Sequence, residues 1–300
     1  MTNQHATTTD YLAIRSILET PILDDHKWAK LPNIGADMVF IDLEDSVPPH
    51  RKDEARDKAC EWLGRLDWFG DKAILARPNH LDTPWGEADV KALAEAGVTC
   101  MAYPKITNRG DLDRVIGLLS QHGASPDIFA IIEMAGAVLE MKEIATTPGV
   151  VALMSGPGDL SVDAGMELFE PDGELNPVFL MMKTQTVLTG VVYGLATTDI
   201  AYVPDLRDLT EVRRRVEGSH RMGFTAMSTF YPPHVDIIND VLSGTPEQVA
   251  KAEAIVEAYE VGLERGDPAV LSAEGEVLLV HDYEKAKRLL RRAGRAKASA

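Results

Sequence analysis

Short apolar runs in this chain stop at single charged residues, and they do so at a near-regular interval. Ala130-Ile131-Ile132 ends at Glu133, and Val150-Val151-Ala152-Leu153-Met154 continues through Ser155-Gly156-Pro157-Gly158 to Asp159. Phe40-Ile41 gives way to Asp42-Leu43-Glu44-Asp45, Ile74-Leu75-Ala76 to Arg77, and Met101-Ala102-Tyr103-Pro104 to Lys105; nearer the N-terminus, Ile14 gives way to Arg15. Such runs read as strands buried on both faces, which belong to parallel sheets. The polar groups at 15, 42, 77, 105, 133 and 159 are separated by 27, 35, 28, 28 and 26 residues. A (β/α)₈ barrel of about 250 residues repeats every ~31 residues. The expected class is therefore α/β, a TIM (β/α)₈ barrel whose successive strands end in functional groups.

Between the runs lie helical patterns at 49–65, 85–96, 111–120 and 135–144, with Asp111 placed as an N-cap. Residues 165–176 read as a loop, 177–193 as a long apolar helix, 195–203 as a seventh strand, 208–222 as a charged helix and 224–230 as an eighth strand. Tyr231-Pro232-Pro233-His234 then forbids further helix or central strand locally. Three parts follow: a flexible tail at 1–10, the barrel at 11–245, and a C-terminal helical extension at 246–300 that is either a packed tail or a lid over an active site.

Three hundred residues with 45% hydrophobic side chains can bury a sizeable core. The net charge of −17 argues against nucleic acid or an anionic membrane as the main partner. It leaves anionic small molecules open, because a local cation reverses the potential inside one cleft. The two cysteines, Cys60 and Cys100, are neither a disulfide framework nor a metal cluster. No apolar stretch reaches spanning length and the first residues lack a signal peptide's apolar core, so the expected location is the cytoplasm.

A carboxylate at the end of a buried strand costs free energy unless a positive charge sits beside it. Glu133 and Asp159, one βα unit apart, suggest a shared cation, and Mg²⁺ takes one or two carboxylates plus waters and substrate oxygens. Arg77, and likewise Arg15, would bind a substrate carboxylate bidentately. The acids Asp42, Glu44 and Asp45 lie on both faces of their chain, so at least one faces the mouth, for structural pairing or for proton transfer. Lys105 is a candidate for substrate binding; a Schiff-base role would need a depressed pKa, and the surrounding acids would raise it. Gly156, Pro157 and Gly158 let the backbone come close to substrate. His234 is an acid–base candidate by residue type, although a lone loop histidine is usually a surface group. No G-x-S-x-G elbow, P-loop or zinc-ligand spacing is present.

Taken in order, Arg15-Ser16, the run from Val39 to Asp45 with Lys52 and Ala55-Arg56, Arg77-Pro78-Asn79, Pro104-Lys105, Ile132-Glu133 and Gly156 to Asp159 resemble the HpcH/HpaI aldolase/citrate lyase family. The likeness is strongest to its citrate lyase β-subunit-like and malyl-CoA lyase-like branch, and it runs from about residue 13 to 290. It implies a Mg²⁺-dependent carbon–carbon lyase (Mn²⁺ being a substitute) on a TIM barrel, assembled as a homotrimer or homohexamer. By that resemblance Glu133 and Asp159 hold the metal and Arg77 grips the oxo-acid half of the substrate. Arg15 helps with substrate or a coenzyme A phosphate. Asp282 is the counterpart of a lid acid that reaches a neighbouring subunit's site. Two places depart from the family pattern: Glu19-Thr20-Pro21 stands where a V-P-G-like turn is usual, and Phe230-Tyr231-Pro232-Pro233-His234 where an I-H-P-x-Q-like end of strand eight is usual.

The resulting expectation is cleavage or formation of a 3-hydroxy acid or its CoA thioester. Alternatives are a class II pyruvate aldolase acting on 4-hydroxy-2-oxo acids, a CoA-ester hydrolase on the same scaffold, and a non-catalytic metabolite-binding barrel or subunit of a larger lyase complex.

Overall fold

The computed structural model describes residues 9–266, 270–272 and 275–298. Eight strands close into a barrel in sequence order: β1 (Ser16–Pro21), β2 (Met38–Asp42), β3 (Ala73–Arg77), β4 (Cys100–Tyr103), β5 (Asp127–Ile132), β6 (Val150–Ser155), β7 (Ala196–Ile200) and β8 (Ala226–Thr229). Every neighbouring pair in it is parallel, so all C-terminal ends open at one mouth. Side chains alternate across the strands with period two. Ile17, Met38, Phe40, Leu75, Ala102, Phe129, Ile131 and Met154 fill the barrel interior. Their sequence neighbours Leu18, Val39, Ile41, Ala76, Met101 and Ala130 face outward to the helices. Both sides of β2 to β6 are therefore largely apolar, which is why the sequence shows runs and not alternation there.

The helices are α1 (Asp25–Trp28), α2 (Lys52–Leu63), α3 (Gly86–Glu95), α4 (Arg109–Gln121), α5 (Ala135–Leu139), α6 (Met141–Ala145), α7 (Pro157–Asp163), α8 (Pro177–Tyr193), α9 (Leu209–Met222), α10 (His234–Ser243), α11 (Pro246–Arg265) and α12 (Val280–Ala298). Their starts follow local chemistry. Asn108 with Asp111, and Thr245 with Gln248, form capping boxes, and Pro177 and Pro246 occupy first-turn positions where no N–H is needed. For the same reason Pro232-Pro233 does not forbid a helix beyond it, contrary to expectation: α10 begins at His234, immediately after the second proline.

Strand one also differs from expectation. The apolar run at Ile14 marks the approach to β1, not its end, so Arg15 stands at the N-terminal floor of the barrel. Its Nε and Nη2 donate to Asp37, which precedes β2, at 2.9 and 2.7 Å, and its Nη1 donates to Ser243 Oγ of α10 at 2.8 Å. This buried pair staples β1, β2 and α10 together and cannot reach substrate at the mouth.

Of the tail expected at 1–10, residues 1–8 lie outside the described residues; Asp10 caps the turn Tyr11–Ala13 and pairs with Arg291 at 2.6 Å. In the extension, α12 packs on α11, on α10 and on the Tyr11–Ala13 turn, and residues 270–271 and 277–278 form a two-stranded antiparallel ribbon. The cleft beside α12 is lined by Leu12, Thr197, Phe224 and Thr225, which sit just before or at strand starts. The extension thus lies under the floor of its own barrel and is no lid over its own mouth. No helix among the described residues is long and apolar enough to cross a membrane.

Arg15→Ala leaves Asp37 buried without its guanidinium partner. The expected cost is about 3–5 kcal/mol of folding stability, read by denaturant unfolding.

Candidate active site

Six strands deliver charged groups to the mouth. Asp42 ends β2 and pairs in register with Arg77, which ends β3. Lys105 stands two residues beyond β4 and Glu133 one beyond β5. Asp159 follows β6 in the first turn of α7. Glu19 faces the same space from within β1.

Arg77 Cζ lies over the Phe40 ring, 5.1 Å from its centroid. Its Nε donates to Asp42 Oδ1 at 2.7 Å and its Nη2 to Glu19 Oε1 at 3.1 Å, while Glu44 Oε2 is 3.3 Å from Nε. No protein partner of Nη1 is seen among the described residues, so part of the fork is open to a ligand. Asp42 also accepts the N–H groups of Glu44 and Ser46. Burial alone would raise its pKa, but the Arg77 guanidinium and these bonds outweigh burial and hold it at about 2. Asp42 is thus a permanently ionised anchor for Arg77, not a proton carrier.

Lys105 joins the other groups. It has φ of 50°, the one positive value at a non-glycine residue among those described. That conformation costs of order 1–3 kcal/mol, and it aims the backbone N–H at Glu133 Oε1, 2.6 Å away. The side chain turns the other way: Nζ lies 2.6 Å from Glu44 Oε1, 3.2 Å from Asp45 Oδ1 and 3.8 Å from Asp159 Oδ1. Although burial opposes it, these acids raise the Lys105 pKa, which keeps the amine protonated and unsuited to Schiff-base chemistry.

Glu133 is 2% exposed. Burial first, then repulsion from Glu44 and Asp159 against the pull of Arg77, raises its pKa to about 8. Burial likewise raises that of Glu44, whose Oε2 is buried without a hydrogen bond. Six carboxylates (Glu19, Asp42, Glu44, Asp45, Glu133 and Asp159) meet two facing cations, Arg77 and Lys105. Such an excess fits a missing positive charge. Among the described residues no three His, Cys, Asp or Glu side chains form a metal-ligand cluster. Two carboxylates completed by water and substrate oxygens is the donor set that suits Mg²⁺, and Glu133 with Asp159 fits it.

Gly156 matters for space, not for φ. A Cβ there would stand 2.5 Å from Glu133 Cβ and 2.8 Å from its Oε2, so glycine lets the β6–α7 turn close over Glu133. A Cβ at Gly158 would meet only Tyr202, at 3.4 Å.

Sequence reasoning missed three contributors. Glu19 stood in a strand interior, where only its sign gave it away. Lys52 and Asn79 buttress the loop after β2: Lys52 Nζ donates to the carbonyls of Leu43 and Glu44 and to Asn79 Oδ1 at 2.7–2.8 Å. Asn79 Nδ2 donates to Leu43 O and to Asp89 Oδ2. Besides Arg15, two expected groups lie elsewhere. His234 is fully buried, with Nδ1 3.0 Å from Thr229 Oγ1 and Nε2 2.8 Å from Leu206 O, so both nitrogens are spent inside the fold. Asp282 accepts the Leu279 N–H in the first turn of α12 and lines the cleft below the floor, away from this chain's own mouth.

A parallel eight-stranded barrel with charged groups converging at the C-terminal mouth is the arrangement in which TIM-barrel enzymes carry their active sites. The model of the HpcH/HpaI aldolase/citrate lyase family matches residues 20–232, and the chain belongs to that family. It is 29% identical over 266 residues to a (3S)-malyl-CoA thioesterase of Cereibacter sphaeroides, covering 88% of this chain and 89% of that protein. It is 28% identical over 286 residues to an L-malyl-CoA/beta-methylmalyl-CoA lyase of the same species, with the same coverage of 88% and 89%. The fold is shared with protein CitE from Mycobacterium tuberculosis, crystallised with magnesium, acetoacetate and coenzyme A: TM-score 0.76, 22% identity, 95% of this chain and 99% of that one.

Raised carboxyl pKa values favour the protonated form, so the stability they carry is complete below the ordinary value of 4.5 and is lost as pH rises through about 7 for Glu19 and about 8 for Glu133. In the absence of divalent cations the melting temperature should fall between about pH 5.5 and about pH 8.5. Glu133→Gln should remove much of that slope, and Mg²⁺ at the alkaline end should raise the wild-type midpoint more than the variant's. Separately, Gly156→Ala should displace Glu133 and weaken Mg²⁺ binding about tenfold or more, in line with losses seen when groups supporting a metal ligand are altered, as read by calorimetric titration.

Proposed function

We propose that the chain is a divalent-metal-dependent carbon–carbon lyase that cleaves, or forms, a 3-hydroxy acid as its CoA thioester. The observation that carries the reading is the convergence of an open-forked, buried Arg77 with Glu133 and Asp159 on one mouth that holds more negative charge than its own cations offset. Family membership and the malyl-CoA-directed relatives support it.

Glu133 and Asp159 would hold Mg²⁺, which when bound supplies Lewis-acid polarisation of the substrate's hydroxyl or carbonyl oxygen and anchors its carboxylate. The chain's own side chains do the rest. Arg77 binds the carboxylate of the oxo-acid half through its free N–H groups, and Asp42 fixes the guanidinium so that no reorganisation is needed when charge develops. Glu44 is the proton acceptor. It is buried, its pKa is raised and Oε2 is unbonded, while Oε1 is pinned by Lys105. The hydroxyl proton passes to Glu44, the electrons of the carbon–carbon bond flow into an enolate, and the carbonyl fragment separates. The same carboxyl can return the proton to the enolate carbon. Lys105 keeps Glu44 in place and offsets charge.

The exposed apolar face of α8 (Leu180, Met181, Leu188, Val191 and Val192) supports self-association, as a homotrimer or homohexamer. In such an assembly Asp282 could serve a neighbouring protomer. The protein would work in the cytoplasm. A second reading, thioester hydrolysis, is favoured by the relative named as a thioesterase.

Malyl-CoA and citramalyl-CoA are the substrates to test. The lyase yields an oxo acid and an acyl-CoA; the hydrolase yields free CoA and the intact hydroxy acid. EDTA should abolish turnover, and Arg77→Lys should cost about 10²–10³ in kcat, the loss typical of removing one preorganised donor. Full activity in EDTA would overturn the metal-dependent reading.

A further inference from the structure

Glu19 has no role in the reaction as proposed, yet its position is specific. In β1 it shares a face with Ile17, which packs in the barrel interior, so its carboxylate is carried one layer higher, into the mouth. There it accepts from Arg77 Nη2 at 3.1 Å. One guanidinium thus faces three carboxylates, Glu19, Asp42 and Glu44. A single anion balances its charge, and Asp42, locked by three hydrogen bonds, already provides it. Nη1 leaves room for one carboxylate oxygen, but a bidentate grip needs Nη2 as well, and Glu19 occupies it.

We propose that Glu19 is a specificity-determining residue, an internal stand-in for the substrate carboxylate that must leave Arg77 Nη2 before an incoming carboxylate can be gripped at two points. This rests on the proposed role of Arg77 as the carboxylate grip. A displaced carboxylate in this mouth finds Asp42 and Glu44 from β2 and its loop, Asp45 beyond them, and Glu133 and Asp159 across the opening, with Lys105 already held by Glu44 and Asp45. On its other side β8 runs beside β1 only as far as Leu18, and its inward-facing residue there is Ser228, level with Ile17. With no unpaired side-chain cation among the described residues of the mouth to receive it, Glu19 leaves Arg77 by taking up a proton. Burial, opposed by Arg77 and reinforced by Asp42, Glu44 and Asp45, puts its pKa at about 7, within reach of that step. The site is thereby tuned against weakly held simple anions at alkaline pH and toward substrates whose remaining parts supply enough binding energy to displace Glu19.

The probe is pyruvate, titrated calorimetrically in Mg²⁺ into wild type, Glu19→Gln and Arg77→Met, with Glu19→Ala as the second variant should Glu19→Gln fold poorly. If binding requires protonated Glu19, a group with a pKa of about 7 weakens wild-type affinity about tenfold at pH 8 and hardly at pH 6. Glu19→Gln should therefore bind about tenfold tighter than wild type at pH 8, with the gap closing at pH 6. Buffers of different ionisation enthalpy should report uptake of nearly one proton per site at pH 8 in wild type and none in the variant. Equal or weaker binding by Glu19→Gln and Glu19→Ala, with Arg77→Met devoid of binding, would overturn this inference and leave the grip intact. Undiminished binding by Arg77→Met would overturn the grip itself, and the function proposed from it.

Discussion

The charge balance around Arg77 and Lys105 governs this site. Two cations cannot neutralise the carboxylates that the strand ends bring together, and the low-dielectric surroundings make the remainder expensive. The fold tolerates the arrangement because each acid meets a different part of the problem. Asp42 gives up its freedom to hold Arg77. Glu44 is divided between Lys105 and an unbonded oxygen. Glu133 accepts one backbone N–H and is otherwise hard to ionise. A divalent cation at Glu133 and Asp159 would relieve the last of these, so its affinity and the stability of the mouth are coupled.

The barrel makes this concentration of charge affordable. Parallel strands aim every C-terminal end at one mouth, while the opposite ends form a floor with its own buried pair, Arg15 and Asp37. The strained backbone at Lys105 and the glycine at 156 are the two local departures that bring Glu133 against its neighbours. Behind them Lys52, Asn79 and Asp89 hold the loop that carries Glu44, so the acid proposed to move the proton sits on a braced segment, not a loose one.

Much of this was legible in the chain because buried parallel strands write themselves as uninterrupted apolar runs. Where a run ends in a charge, the charge lies at the mouth, and this holds for Asp42, Arg77, Lys105, Glu133 and Asp159. The rule fails at Arg15, because the short run that ends at Ile14 cannot show whether it enters or leaves a strand. It also misses Glu19, since an acid in a strand interior breaks the very pattern used to find strands. His234 reads as a loop residue because two prolines precede it, whereas those prolines introduce α10. The place of Asp282 depends on how a terminal extension packs, and that is set by long-range contacts with α10 and the Tyr11–Ala13 turn that local sequence does not encode.

The most direct test of the account is an anomalous difference map from crystals grown with Mn²⁺ in place of Mg²⁺. The account predicts one strong peak about 2 Å from carboxylate oxygens of both Glu133 and Asp159, within the mouth that Arg77 faces. A peak at any other site, or none at that pair in protein that turns over substrate with the same metal, would contradict it.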